Sequence, residues 1–206
     1  MWTLCLAVLI CAGAVPAQKE EQPRVPYVSE HPDDPQVAKD FDMYRKNFGY
    51  VSNVVRATAN SPGMHTAIGE FARNLRAAIK VPPQYIELSI LRITQLENGQ
   101  YVYLHTLPAV RGCGISQAQI DALPNWRKSS LFDSKQRAVL AYADGMLEKS
   151  GPSDETFKTL SSFFSPAEIV DLTMTNGMYV MQSVYGKALR IPIEQNFDPG
   201  ATSPKC

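Results

Sequence analysis

The sequence has no excess of charge of either sign. Lys and Arg together number 20, Asp and Glu also number 20, and the formal net charge at pH 7 is zero. Nucleic acids and anionic membrane surfaces attract proteins through a net positive field, which this chain lacks. We therefore expect neither nucleic acid nor a membrane surface as a partner.

Histidine is also scarce. Only His31, His65 and His105 occur, and no pair of His or Cys residues has the spacing of metal ligands. No stretch shows the alternation of apolar and polar residues that is typical of a β-strand. The sequence therefore predicts no metal site, no cofactor and an all-α fold.

The four cysteines are unevenly placed, at positions 5, 11, 113 and 206. Residues 1–17 carry no charge and contain a short apolar run, which is too short to span a bilayer but suits the core of a signal peptide. Cleavage before Gln18 would leave Cys113 and Cys206, which an oxidising compartment would allow to pair. Two separate thiols remain the alternative. A lipoprotein signal at Cys11 fits less well, because Ile10 is bulky for such a cleavage site.

The rest of the chain is long enough for one domain with a sizeable core. We expect a secreted, periplasmic or extracellular protein with a signal peptide (1–17), an extended arm rich in Pro and charge (18–35), a helical domain (36–195) and a flexible tail (196–206). Apolar spacing and capping residues predict helices over 40–50, 51–60, 61–79, 83–97, 100–111, 116–123, 133–149 and 166–189, with a further helix starting near Ser153.

Two of these helices have patterns that predict burial. The stripe of Met64, Ile68, Phe71, Leu75 and Ile79 gives the third helix one apolar face. The last helix is apolar on most sides, so it has to be buried on most sides. In a domain of this size part of that burial would come from a second copy of the chain, which predicts a homo-oligomer.

Two titratable residues on neighbouring helices are candidates for catalysis. Glu87 has Ile90 and Leu91 one turn ahead, and desolvation of a carboxylate suits it to general acid or base work. His105 lies among Tyr101, Tyr103 and apolar residues, and an imidazole can exchange protons near neutral pH. Each has a structural alternative: Glu87 as a buried carboxylate held by Arg76, Arg92 or a backbone amide, and His105 as a core histidine. The two tyrosines could bind a ligand or simply pack.

A family resemblance adds to this interpretation. The segments 87–96, 98–109 and 111–116, followed by 137–144, 164–172 and 188–194, resemble the carboxymuconolactone decarboxylase family, which includes the alkyl hydroperoxidase D-like proteins. The resemblance covers about residues 40–194. It implies an all-helical fold that assembles as a homotrimer or homohexamer, with a pocket between helices and near a subunit boundary.

The redox branch of this family uses Cys-x-x-Cys, a Glu and a His. The resemblance aligns the Glu with Glu87, the two cysteines with Gly99 and Val102, and the histidine with Thr106, one residue after His105. A thiolate is the nucleophile in peroxide reduction, and neither Gly nor Val can supply one. Cys113 is about three helical turns beyond Val102 and cannot replace it. The sequence therefore excludes a dithiol peroxidase.

The other branch of the family decarboxylates a lactone carboxylate. Such a reaction needs an acid, for which Glu87 or His105 is suited, and a positive group to hold the carboxylate, for which Arg92 or Arg111 is suited. Substrate binding is expected to involve Tyr101, Tyr103 and Thr106 as well. We therefore expect a secreted, cofactor-independent lyase acting on a small cyclic or aromatic organic acid or lactone. The alternative is a small-molecule-binding protein that kept the fold and lost the chemistry.

Overall fold

The computed structural model describes residues 22–201, and all regular structure in this range is helical. The predicted signal peptide lies outside the described residues. The helices are α1 (Pro35–Phe48), α2 (Asn53–Thr58), α3 (Pro62–Ala78), α4 (Pro83–Leu96), α5 (Gln100–Gly112), α6 (Gln117–Ala122), α7 (Ser134–Met146), α8 (Asp154–Ser161) and α9 (Pro166–Leu189), with a 3-10 helix over Leu123–Lys128. The all-α prediction is confirmed.

Local capping explains where several helices begin. Ser116, Asp133 and Ser165 each accept a hydrogen bond from the backbone three residues on, and the Gln or Glu at that position bonds back to the cap. Proline in the first turn fixes the starts of α3, α4 and α9. The predicted starts of these helices agree with the structure because each capping residue or proline lies within four residues of the bond or turn that it determines.

Helix α4 lies at the centre of the bundle and packs against α5, α7 and α9. Ile86 and Ile90 belong to a cluster with α7, α8 and α9, whereas Leu88 and Leu91 join a second cluster with α5 and α6. Since α4 is covered from several sides, the polar residues that it carries, including Glu87 and Ser89, are buried with it.

The two ends of the described chain close over the bundle. The amide of Arg24 donates to the carbonyl of Leu189, and the side chain of Asn60 donates to the carbonyl of Pro26. Near the other end, Phe197 stacks on His105. Both segments therefore contact the helical domain.

The apolar faces of two helices are only partly covered in the single chain. Met64 and Phe71 of α3 are 56% and 37% exposed, so its apolar stripe is only partly covered. Val170, Met174, Met181 and Val184 of α9 are between 41% and 59% exposed, so one face of that helix is open in the single chain. The sequence pattern reports which residues are apolar but not whether the same chain covers them.

Within residues 22–201, no helix is long and apolar enough to cross a bilayer. Cys113 is in a disulfide.

Candidate active site

A cavity of about 160 Å³ opens between α3, α4, α5 and α9, next to the start of α2. It brings together residues that are far apart in the sequence. Its lining consists of Ser52, Val54, Arg76, Glu87, Tyr101, Val102, His105, Thr106, Ala109, Tyr179 and Gln182. The two catalytic candidates from the sequence, Glu87 and His105, thus face a common cavity.

Glu87 is a buried carboxylate with one free oxygen. Its residue is 4% exposed, and Oε1 accepts a hydrogen bond from Nη1 of Arg76 at 2.5 Å. No described residue donates a hydrogen bond to Oε2, which is itself buried. A buried carboxylate oxygen without a donor is costly, so this atom is available to a bound molecule.

Arg76 joins Glu87 to Tyr179. Its Nη2 donates to the Tyr179 hydroxyl at 2.6 Å. Burial opposes the charge of Arg76, but Tyr179 and Glu87 outweigh it and raise the guanidinium pKa above its usual value. Burial also raises the pKa of Tyr179. At neutral pH Arg76 is therefore charged and Tyr179 keeps its proton, which is free to be donated because the hydroxyl oxygen is the acceptor for Arg76.

His105 lies between two aromatic rings. Its ring stacks on Tyr101 with a centroid distance of 4.2 Å, and on Phe197 at 4.0 Å. Nδ1 is 2.8 Å from the carbonyl oxygen of Tyr101. Nε2 lies 2.9 Å from Oε2 of Glu194, close enough for an ion pair although not aligned as a hydrogen bond. Both ring nitrogens therefore face oxygen atoms that can accept a hydrogen bond.

Glu194 supplies the negative charge beside His105. Its Oε1 accepts hydrogen bonds from the Tyr101 hydroxyl and the Asn53 amide, both at 2.6 Å. Burial works to raise the pKa of Glu194, but the His105 ring and these two donors outweigh it and lower the pKa to about 2. The carboxylate is therefore ionised at any pH at which the protein is expected to work.

The other predicted binding residues fall into two groups. Tyr101 and Thr106 line the cavity, and the Thr106 hydroxyl donates to the carbonyl of Val102. Tyr103 does not line it and packs against the core cluster around Leu88 and Leu107.

The two arginines proposed as carboxylate anchors also lie outside the cavity lining. Arg92 forms an ion pair with Asp144 at 2.6 Å and tethers α4 to α7. Arg111 donates to Gln117 and to the carbonyl of Pro199. The positive group that faces the cavity is Arg76 instead.

The position aligned with the first redox cysteine, Gly99, has no space for a larger side chain. Gly99 precedes the first turn of α5, and a Cβ at this position would lie 2.4 Å from Oγ and 2.6 Å from Cβ of Ser183 on α9. A cysteine could not occupy position 99 unless the two helices moved apart. The exclusion of dithiol chemistry thus rests on packing as well as on residue identity.

Metal ligands do not cluster in the described part of the chain: no group of three or more His, Cys, Asp or Glu residues in residues 22–201 could hold an ion. His65, the third histidine, is buried beside Asp40, with 3.4 Å between Nε2 and Oδ2.

Three residues of the site were not assigned a catalytic or binding role from the sequence. Tyr179 is separated from Arg76 by 103 positions, and Glu194 lies 93 positions from Tyr101. Arg76 had been considered only as a structural partner of Glu87. The last segment that resembles the family, residues 188–194, ends at Glu194. This was the one sequence feature that could have indicated a role for that residue.

Comparison with known structures identifies the architecture. A peroxidase-related protein with an alkylhydroperoxidase AhpD core, from Ralstonia eutropha JMP134, superposes with a TM-score of 0.75 at 15% identity, over 84% of this chain and 93% of the other. The fold is the AhpD-like fold. A variant of the debrominase Bmp8 in complex with 2,3,4-tribromopyrrole shares it with a TM-score of 0.69 at 17% identity, over 86% and 95% of the two chains.

Sequence comparison also finds a relative, and its identity to this chain is similarly low. The uncharacterized protein YnjA of Escherichia coli (strain K12) is 23% identical over 154 residues, which is 74% of this chain and 85% of that protein. No family model matches the chain. The resemblance to the carboxymuconolactone decarboxylase and AhpD-like proteins is therefore confirmed for the AhpD-like fold, and the chemistry has to be argued from the cavity.

Proposed function

We propose that this protein is an enzyme of the cofactor-independent lyase type that acts on a small monocyclic organic acid or lactone. The observation that carries the proposal is the free Oε2 of Glu87, which is buried in a cavity lined by Arg76, Tyr179 and His105. These groups supply a base, a positive charge and two proton donors within one enclosed space. Such a set is what proton transfer next to a carboxylate or carbonyl requires.

Each group has a role in a decarboxylation. Arg76 holds the substrate carboxylate, and the bond from that carboxylate to the ring breaks as carbon dioxide leaves. The electron pair moves onto an enolate oxygen, which the Tyr179 hydroxyl stabilises by donating a hydrogen bond. His105 gives the proton that the ring carbon takes up and is reprotonated from solvent. Glu87, paired with Arg76, is the base for any step that removes a proton from an adjacent carbon.

The size of the cavity supports a single-ring substrate. Its volume is about 160 Å³, and a protein cavity of about 150 Å³ is known to hold benzene. The debrominase with the same fold holds 2,3,4-tribromopyrrole, which also has one ring. A larger substrate would have to enlarge the space between α4, α5 and α9.

Turnover of a discovered substrate by variants tests this proposal. Ligands are found by thermal-shift screening with monocyclic acids and lactones, and each stabilising compound is then incubated and analysed for products. Glu87→Gln keeps the shape of the side chain and removes its charge, so kcat should fall by about 100-fold or more. Tyr179→Phe removes the hydroxyl that donates a hydrogen bond to the enolate oxygen, so it should also lower kcat.

The matched control is Glu148→Gln, which alters an exposed carboxylate outside the cavity. It should leave turnover unchanged. Full activity in both Glu87→Gln and Tyr179→Phe would rule out the proposed mechanism.

A non-catalytic binding protein is the second candidate, and the environment of His105 favours it. Both faces of the ring and both nitrogens already have neighbours in the protein. A histidine so enclosed can serve to hold α5 against the segment that carries Glu194. Saturable binding of ring acids without any conversion would select this function over the first.

We further propose that the protein is exported and that residues 1–17 are removed. The disulfide at Cys113 supports this, because disulfides persist in oxidising compartments and are rare in the cytosol. N-terminal sequencing of protein from the producing organism should begin at Gln18. Recovery of the intact N-terminus from the cytosolic fraction would contradict export.

A further inference from the structure

A second and larger cavity, of about 420 Å³, lies at the start of α5. Its lining includes Gly99, Tyr101, Val102, Ser183, Lys187 and Arg190. Tyr101 and Val102 also line the cavity of Glu87, so these two side chains stand between the two spaces. The chemistry of the second cavity is different, because its charged lining residues are both positive.

The first turn of α5 presents unpaired donors here. Gly99 precedes the helix and has no side chain to cap it, and the amides of Gln100, Tyr101 and Val102 have no acceptor among residues 22–201. The first amides of a 13-residue helix carry a partial positive charge. Helix starts of this kind attract anions, although the start of a helix alone does not define a site.

Ser183 provides a second and independent indication. Its residue has no exposed surface, and its hydroxyl has no hydrogen-bond partner in the described part of the chain. The hydroxyl faces the start of α5 across Gly99, where a Cβ would lie 2.4 Å from it. An unpaired buried hydroxyl costs about 1–3 kcal/mol, which a ligand atom accepting its proton would offset.

Two cations complete the lining. Lys187 donates to the carbonyl and carboxylate of Glu97, so it is partly neutralised. The guanidinium of Arg190 has no partner among the described residues, and this residue ends α9 in the left-handed region with φ 51°. A bulky residue in that conformation is strained, and such strain is often found where a side chain serves a ligand. The net charge of this rim, with Glu97 counted, is positive.

We propose that this cavity binds a small organic anion, with its phosphate or carboxylate group held by the first amides of α5, the Ser183 hydroxyl and Arg190. The volume exceeds that of the anionic group alone, so the remaining space accommodates a carbon skeleton against Val102, Ile191 and Ile193. The proposal does not depend on the lyase function, because it involves a separate cavity and a binding step only.

Titration with defined anions tests the proposal without any turnover. Phenyl phosphate and benzoate are the two anionic probes and benzyl alcohol is the neutral one, all at constant ionic strength with ¹⁵N-labelled protein. We expect the amide signals of Gly99, Gln100 and Val102 to move with at least one anion and not with the alcohol. The relative affinities of phenyl phosphate and benzoate identify the anionic group that the site prefers.

Two variants distinguish anion binding at a defined site from nonspecific electrostatic attraction. Arg190→Gln should weaken binding about tenfold, the effect of losing one charge-assisted hydrogen bond of roughly 1.4 kcal/mol. Ser183→Ala should weaken it severalfold while leaving the melting temperature unchanged or higher, since the hydroxyl has no partner in the empty protein.

The matched control is Lys158→Gln, which removes a positive charge from α8, outside this cavity. It should bind like the unmodified protein. Equal weakening by Arg190→Gln and Lys158→Gln, or amide shifts that appear elsewhere and not at the start of α5, would overturn the proposal. Loss of activity in Glu87→Gln with intact anion binding would leave it standing, so the two proposals fail separately.

Discussion

Among single residues, Arg76 is the ion-pair partner of the buried Glu87 carboxylate. The Arg76 side chain is 43% exposed, whereas that of Glu87 is 5% exposed. Breaking a wholly buried ion pair by removing one partner costs about 3–5 kcal/mol. We expect Arg76→Met to lower the free energy of unfolding by less, about 2 kcal/mol, because Arg76 is partly solvated.

A double-mutant cycle checks this prediction by urea unfolding. In Arg76→Met/Glu87→Gln the stranded charge is gone, so the double variant should be more stable than Arg76→Met alone. The single variant Glu87→Gln leaves Arg76 near the surface and should cost little. Additive effects of the two substitutions would mean that the ion pair contributes nothing measurable.

Glu194 gives the folded protein a defined pH dependence. Its pKa is lowered from 4.5 to about 2, so the folded state holds the carboxylate in its ionised form. The resulting stabilisation, on the order of 3 kcal/mol, is present above about pH 4.5 and is lost as the pH falls toward 2. Urea unfolding of Glu194→Gln should therefore show a deficit at pH 7 that shrinks at pH 3. A deficit independent of pH would contradict the role of this charge.

The sequence predicted the site residues that lie close together along the chain, but not those that come from distant positions. Glu87, Tyr101 and His105 lie on neighbouring helices in a segment with a recognisable pattern, and they do line one cavity. Tyr179 and Glu194 come to the site from the far end of the chain, and no periodic pattern links residues so far apart. Arg92 looked like an anchor because it is close to Glu87 in the sequence, but its guanidinium pairs with Asp144 of α7.

Among the helices, the close approach of α5 and α9 depends on Gly99. A Cβ at this position would overlap Ser183, including its backbone Cα at 3.2 Å. Overpacking of this kind costs about 1–3 kcal/mol. We expect Gly99→Ala to lower the melting temperature, and Ser183→Gly to restore part of the loss in the double variant.

Gly63→Ala, in helix α3, is the matched control for that experiment. It also adds a methyl group at a helical glycine, but it has open space around the new Cβ. Its melting temperature should be unchanged or slightly higher, because alanine favours the helix. An undisturbed melting temperature in Gly99→Ala would show that the two helices separate at little cost, and that a cysteine could also be accommodated.

Helix boundaries were more predictable than helix faces. The starts at Ser116 and Ser165 are set by side chains that bond to the backbone three residues away, so the local sequence contains the cause. Although Ser61 itself makes no capping bond, Pro62 fixes the start of α3. The 3-10 helix after α6 was not predicted as such, and the partial exposure of α3 depends on which helices reach it.

For the whole molecule, the open face of α9 is the main unexplained feature. Val170, Met174, Met181 and Val184 lie on one side of the helix, and Gly177 in the same row leaves room for a close neighbour. Contiguous apolar surface of this kind marks an interaction site in soluble proteins. The predicted homo-oligomer would use this face as its interface, because a symmetric interface places the same patch on each copy.

Sedimentation velocity at micromolar concentration tests that assembly. The unmodified protein should sediment as an oligomer, and Met181→Lys should shift it to the monomer, because a charge in the centre of an apolar interface would have to be desolvated. Met181 is already 41% exposed in the single chain, so the variant monomer should keep the helical circular dichroism of the folded protein. Met64→Lys, on the partly open face of α3, asks whether that surface is part of the same interface.

The control for the assembly is Lys149→Glu, which changes the net charge by more than Met181→Lys does, at an exposed position outside the α9 stripe. It should leave the oligomer intact. A monomer for the unmodified protein would mean that the exposed methionines and valines serve a different partner. Dissociation by Lys149→Glu and Met181→Lys alike would mean that net charge, not the apolar face, controls association. Dissociation by Met181→Lys alone locates the interface on α9, the same helix that supplies Tyr179 to one cavity and Ser183 to the other.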